Sequence, residues 1–348
     1  MKKTTFLITM IILASMAMAQ NNNGEIEQTG IENKATLSQF GKNTSIINQL
    51  GDKNSATVEQ GDEGRPVKNI DTESWRHGAF IDQIGNNNEA EIKIWKGDGS
   101  QQSGGGSNGA RIEQTGNYNK AFQDISNSHV KTTNWDRMGA HIKQLGNENF
   151  AKQEVFRSFG THGSGGIIID QQGDANHAHQ YVIGGRNNVT ETYQTGNNNN
   201  YTGFTNSDVS DILNLSWSFK PVGENFSQFQ RGENNALRLN IVGDNNITAQ
   251  YQEGDVWGRS YNSANINVEG DYNEVAQAQL GTRNEADIKV FGDSNKAGIQ
   301  QVGTNNMAEI FQQGNLNFGI ITSAGAGNAG RINQTGSMNT GMIFQNSF

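Results

Sequence analysis

The chain has 348 residues, of which 33% are hydrophobic and 18% charged, with 43 Gly, 2 Pro and no Cys. Large apolar side chains are too few for the ordinary cores that this length would hold, and without cysteine both disulfide staples and thiol chemistry are excluded. The formal net charge is -9, and Lys and Arg are scattered without a basic stripe, which argues against a nucleic-acid partner.

In chain order, the first predicted element is a secretory signal peptide over 1–19. Lys2 and Lys3 precede an apolar stretch, Phe6 to Ala14, that is too short to span a bilayer, and Ala17-Met18-Ala19 forms a small-x-small cleavage site. No later stretch reaches membrane length, so no transmembrane segment is expected.

Residues 20–348 are governed by one repeated unit, apolar-x-Gln-x-Gly-x-x-Asn-x-Ala. It begins at Ile26 with Gln28, Gly30, Asn33 and Ala35. It recurs as Gln49, Gly51, Asn54; Gln83, Gly85, Asn88; Gln114, Gly116, Asn119; Gln144, Gly146, Asn149; and Gln171, Gly173, Asn176. Near the C-terminus it returns as Gln279, Gly281, Asn284 and Gln301, Gly303, Asn306. Between turns the residues alternate, with Asn33, Ala35, Leu37 and Gln39 sharing one parity, and period two means strand. Gly and Asn both tolerate positive φ, so each Gly-x-x-Asn tetrad reads as a tight turn. Two units then make one coil. The expected fold is all-β, a two-sheet β-solenoid of stacked strand–turn–strand coils, about thirteen in number. Like residues lie on like ~4.8 Å apart, and Gln and Asn amides bond along the stack in place of a bulky core.

Longer segments interrupt the repeat near 62–79, 93–110, 123–140, 154–167, 202–225, 255–264 and 320–330. Shared endings such as Gly78-Ala79-Phe80-Ile81 and Gly109-Ala110-Arg111-Ile112 suggest that they replace one turn of the coil. All are therefore expected at a single edge, provided that 202–225 contributes an extra strand pass, for which Val209 to Phe219 alternates suitably.

The unit Gln-x-Gly-x-x-Asn-x-Ala, with a further Gln as in Ala35 to Gln39, resembles the curlin repeat of bacterial curli fibre subunits, over most of residues 24–348 outside the interruptions. The resemblance implies export through a dedicated outer-membrane channel and growth at the cell surface from a nucleator, by end-to-end stacking with itself or a sister curlin. It also implies a role in adhesion and biofilm matrix. The inward Gln and Asn of the units named above would be the templating ladder. This chain is longer than usual family members and its repeat is interrupted. A non-polymerising β-solenoid adhesin, binding a glycan or protein through its insertions, is the alternative.

No catalytic constellation is expected, and no cofactor or metal site. His177 and His179 share a strand face but lack a third ligand, and read as strand polar residues. Asp52, Asp174, Asp244, Asp271 and Asp293 follow turn glycines without calcium-solenoid spacing and read as turn formers. Trp75, Trp95, Trp135, Trp217 and Trp257 lie in or beside the interruptions, where they either pack the insertions or offer a binding surface.

Overall fold

The computed structural model describes residues 23–39, 43–60, 77–95, 109–126, 139–156, 166–184, 188–200, 228–254 and 260–347. The expected signal peptide, most of each interruption other than 255–264 and 320–330, the Val209 to Phe219 pass and four of the five Trp lie outside them.

Alternating burial makes strands of these residues. In Asn43–Leu50 every second side chain is buried, and in Ser55–Gln60 the alternation continues after one turn. Twenty-four such strands, β1(Asn23–Thr29) to β24(Thr340–Asn346), form two parallel 12-stranded sheets. Odd-numbered strands make sheet A and even-numbered strands make sheet B, each in chain order. The protein is thus a two-sheet β-solenoid of twelve coils, one fewer than the sequence suggested, and the stack rises about 53 Å at ~4.8 Å per coil. We number the coils by their strand pairs, coil 1 holding β1 and β2(Lys34–Gln39) and coil 12 holding β23(Ala329–Thr335) and β24.

The register is unbroken. Ile26, Ile47, Ile81, Ile112, Ile142 and Ile169 stand in one column, and Ala35, Ala56, Ala90, Ala121, Ala151 and Ala178 face them from sheet B. The dry core forms two clusters, one in coils 2–6 and one in coils 8–12. Coil 7 separates them, because its described inward residues, Thr190, Thr192, Gln194, Gln228 and Gln230, are all polar and buried. Thr192 donates to Gln228 at 2.6 Å and Thr190 to Gln230 at 2.9 Å, so hydroxyls and amides satisfy each other there.

Three expectations are corrected. The interruption expected at 320–330 is regular structure: β22(Phe318–Ala326) and β23 run through it, joined by a short turn at Gly327 and Asn328. The interruptions do not share one edge. Those at 61–76, 96–108, 127–138, 157–165 and 255–259 connect a sheet B strand to the next sheet A strand, whereas 201–227 connects β13(Val189–Thr195) in sheet A to β14(Gln228–Arg231) in sheet B. The strand pass that keeps the phase is β14 itself. Lastly, the turn Asn does not take up the positive φ.

That last correction defines the turn between the sheets of one coil, the first edge. Its Gly has φ between 102° and 131° in all twelve coils, and the residue two places on, not the Asn, is left-handed at 54–60°. That left-handed place is filled by Glu32, Lys53, Tyr118, Leu316 and Met338 among others, so it demands no special side chain. The Gly is strict. A Cβ on Gly116 would lie 1.9 Å from the carbonyl oxygen of Gly146 one coil on.

Candidate functional site

The features that could act beyond the chain itself are the ladders and the two ends on which they stop. The first-edge Asn brackets successive coils. The backbone N–H of Asn54 donates to Asn33 Oδ1 at 2.9 Å, and Asn33 Nδ2 donates to the Gly51 carbonyl at 2.7 Å. Asn88, Asn119, Asn149 and Asn176 repeat the N–H bracket at 3.0–3.1 Å. The predicted Asn284 and Asn306 belong instead to the second edge, between coils, in a column Asn188, Asn235, Asn262, Asn284, Asn306 and Asn328 that bonds the same way.

The predicted glutamines likewise divide. Gln28, Gln49, Gln83, Gln114, Gln144 and Gln171 form one column in sheet A, linked amide to amide at 2.5–2.9 Å and ending on Gln194. Gln279 and Gln301 sit in sheet B and pair at 2.8 Å. Each Nε2 has two hydrogens. One runs along the stack and the other crosses to a backbone carbonyl of the facing sheet, as Gln83 does to Ser55. The ladder therefore ties the sheets together as well as the coils.

Sequence reasoning missed a third ladder, Gln123, Gln153, Gln180, Gln228, Gln250 and Gln277, bonded at 2.8–3.2 Å. Its signal was present, since Gln123, Gln153 and Gln180 each follow the repeat's Ala by two residues. Taken together, three inward sites alternate between amide and aliphatic along the stack. The sheet A site carries Gln in coils 1–7, Ile241, Val268 and Val290 in coils 8–10, and Gln312 and Gln334 at the end. The middle site of sheet B runs Leu37, Val58, Ile92, then Gln123 to Gln277, then Ile299, Ile321, Ile343. The last site of sheet B runs Gln39, Gln60, then Ile94 to Val182, then Gln230 to Gln301, Ser323 and Gln345. With the Ser323 hydroxyl counted beside the amides, neighbouring coils never differ at more than one of the three sites.

Amide ladders have direction, with Nε2 of one coil donating to Oε1 of the next. Orphaned buried atoms sit where a run starts or stops: Gln123 Oε1 and Gln312 Oε1 open runs, and Gln60 Nε2 closes one. Unpaired buried amide atoms are costly, so long runs are favoured over scattered Gln.

The stacking asparagine or aspartate after the first-edge Gly of coils 2–11 adds an outer bracket. The Asp52 carboxylate accepts the Ile31 N–H at 2.8 Å, and Asp271 and Asp293 accept from Asp244 and Asp271 at 2.8 and 2.9 Å. Among the described residues no three His, Asp or Glu side chains are grouped to hold a metal. His179 bonds Glu154 at 2.8 Å, while the His177 ring lies 4.4 Å from that of Phe150. Burial, with His179 beside it, holds His177 down to about 4. Burial pushes Glu154 up, but the His179 and Lys152 contacts outweigh it and leave the carboxylate below its ordinary range. Described aromatics pair on the outer faces of both sheets, with Phe229 against Tyr181 at 5.8 Å and Tyr251 at 4.8 Å in sheet B and Phe291 against Phe311 at 5.7 Å in sheet A.

Both ends of the solenoid are open among the described residues. Ile26, Gln28, Ala35 and Leu37 are only half-buried, while Ile47, Gln49, Ala56 and Val58 one coil in are 3% exposed or less. At the other end Ile343 and Gln345 are only half-buried, while Ile321 and Ser323 one coil in are fully buried. No helix of the described residues is long and apolar enough to cross a membrane. No family model and no curated protein matches this chain.

Proposed function

We propose that this protein is a secreted structural subunit that self-associates into curli-like fibres at the cell surface, serving adhesion and biofilm matrix. The observation that carries the reading is the pair of ends that are open among the described residues. A strand whose N–H and C=O groups face outward, over an inward row half-exposed and ready to continue its amide ladders, is a template for another coil. The curlin-like unit supports the same reading.

The test is assembly of the chain lacking residues 1–19. The expected result is growth after a lag, abolished by preformed seeds, into fibres that bind amyloid dyes and diffract at the ~4.8 Å strand spacing. A chain that stays monomeric at high concentration sinks the proposal.

A further inference from the structure

We infer that copies join with one polarity and one register, coil 12 of one chain seated on coil 1 of the next as if it were a thirteenth coil. This rests on the fibre reading above. The partner is a second copy of this chain, and four independent features of the ends select the arrangement.

The first is the three-site pattern. After passing through aliphatic and amide states at every site, it returns at coil 12 to where it began. Coil 12 presents Gln334, Ile343 and Gln345, and coil 1 presents Gln28, Leu37 and Gln39. The junction thus obeys the rule of at most one change per step. A contact slipped by two residues along the strands would set Ile343 on Gln39, or Gln345 on Leu37. Each such mismatch buries an unpaired amide.

The second is ladder direction. Donation runs toward higher coil number, as Gln312 Nε2 donates to Gln334 Oε1 at 2.8 Å. Coil 12 therefore continues as donor and coil 1 as acceptor. Two like ends would meet donor to donor or acceptor to acceptor, and their strands would run antiparallel across a parallel sheet.

The third is charge. Arg331 bonds Glu309 at 3.2 Å on the outer face of sheet A, and Glu25 of the next copy would stand one step beyond it in the same column. The column would then read Glu309, Arg331, Glu25, with the cation between two carboxylates. The fourth is the turn. Asn339 would bracket the Asn33 N–H and the Gly30 carbonyl as each first-edge Asn does within the chain. One bracket is missing, because Ile31 occupies the place where coils 2–11 put Asp or Asn.

The experiment uses the absence of native cysteine. Glu27 and Asn333 hold the same outward column in coils 1 and 12 and are both exposed. In the inferred register their backbones lie ~4.8 Å apart, within reach of a disulfide or a short bis-thiol reagent. Fibres of Glu27→Cys/Asn333→Cys should give a reducible ladder of dimers, trimers and higher multimers in denaturing gels. Fibres of either single variant should give monomer. Dimers from a single variant, or fibres of the double variant that yield no ladder, overturn the polarity and register alone. Failure of the unsubstituted chain to assemble overturns the fibre reading and the junction with it. Both substitutions face solvent, and retained strand content by circular dichroism identifies any variant lost to misfolding. In that case Thr29→Cys/Thr335→Cys, one column along, makes the same measurement.

Discussion

The two edges of the solenoid are built from the same tetrad and tolerate opposite things. Around the first edge, Gly-x-x-Asn is retained in all twelve coils. Around the second edge the four-residue form survives at Gly232, Gly281, Gly303 and Gly325, while longer connections hold 61–76, 96–108, 127–138, 157–165 and 255–259. The difference lies in the outer bracket. At the first edge the residue after Gly is Asp or Asn from coil 2 through coil 11, each accepting a backbone N–H of the coil below, from Ile31 to Asp52 up to Asp293 to Asn315. At the second edge the corresponding residues include Thr282 and Thr304, which touch through hydroxyls at 3.4 Å. An edge with two amide columns is a rail and holds the register. An edge with one is free to vary. The interruption 201–227 respects the rail, since it follows an intact Gly196 to Asn199 turn whose brackets to Asp244 and from Asn199 to Gly243 are all made.

The largest expected effect tests how strict the rail is. Gly116→Ala places a Cβ 1.9 Å from the Gly146 carbonyl oxygen at φ 123°, and neither the backbone of this coil nor that of the next can yield without losing ladder bonds. We expect a loss of at least ~3 kcal/mol, read as a collapse of the urea midpoint. Gly327→Asn is the control at the second edge. Gly327 has φ 71°, nothing lies within 4 Å of its absent Cβ, and Asn234 and Asn305 occupy the equivalent place. It should change stability by less than ~0.5 kcal/mol. Equal effects at the two positions would remove the distinction between strict and permissive turn sites.

Next in size is the pair of brackets. Asn119 is fully buried and its amide touches Asn88 Oδ1, the Gly146 carbonyl and the N–H of Asn149. Asn119→Ala orphans the last two in a site closed to water, so about 3 kcal/mol should be lost. Asn117, the outer bracket of the same turn, is half-buried and accepts the Asn86 N–H at 2.9 Å. Water can replace it in part, and Asn117→Ala should cost about 1 kcal/mol. Thermal melts of the two variants give the ratio. If Asn117 proved the costlier, the inner column would be the dispensable one.

Period two, the Gly tetrad and the like-on-like columns were legible because each is a local pattern repeated in every coil. The Ile26 to Ile169 column and the Gln28 to Gln171 ladder follow from parity alone. What could not be read was phase over distance. Gln279 and Gln28 occupy identical local motifs, yet lie in different sheets, because the motif marks a strand end and both sheets have one. The same ambiguity hid which two strands 201–227 connects. The all-polar coil 7 was hidden for another reason. Thr192 and Gln228 satisfy each other across the core only because two segments 36 residues apart in sequence face one another. The role of Asn was misassigned because a residue that tolerates positive φ and a residue that brackets two strands look alike in sequence. Only the neighbour's φ of 54–60° separates them.

The smallest effect is the most discriminating about the edges. Replacing 96–108 with the tetrad Gly-Thr-Arg-Asn found at 281–284 keeps the second-edge register, since Asn108 already precedes β7(Gly109–Thr115) as Asn188 precedes β13. Shortening that connection from 13 residues to four reduces the closure entropy by about 1 kcal/mol, so the variant should melt slightly higher with its strand content intact. The reciprocal change moves the same 13 residues into the first edge between Asn86 and Asn87. It pays the same closure term, but it also parts Asn86 from its bracket with Asn117 and displaces the Asn87 N–H from the Asp52 carbonyl. Closure entropy alone predicts mirror-image shifts of about 1 kcal/mol. The bracket account predicts a loss at the first edge two to three times the gain at the second. Symmetric shifts would mean that the interruptions fell at the second edge without physical cause. An asymmetric result makes the amide rail the reason that they did.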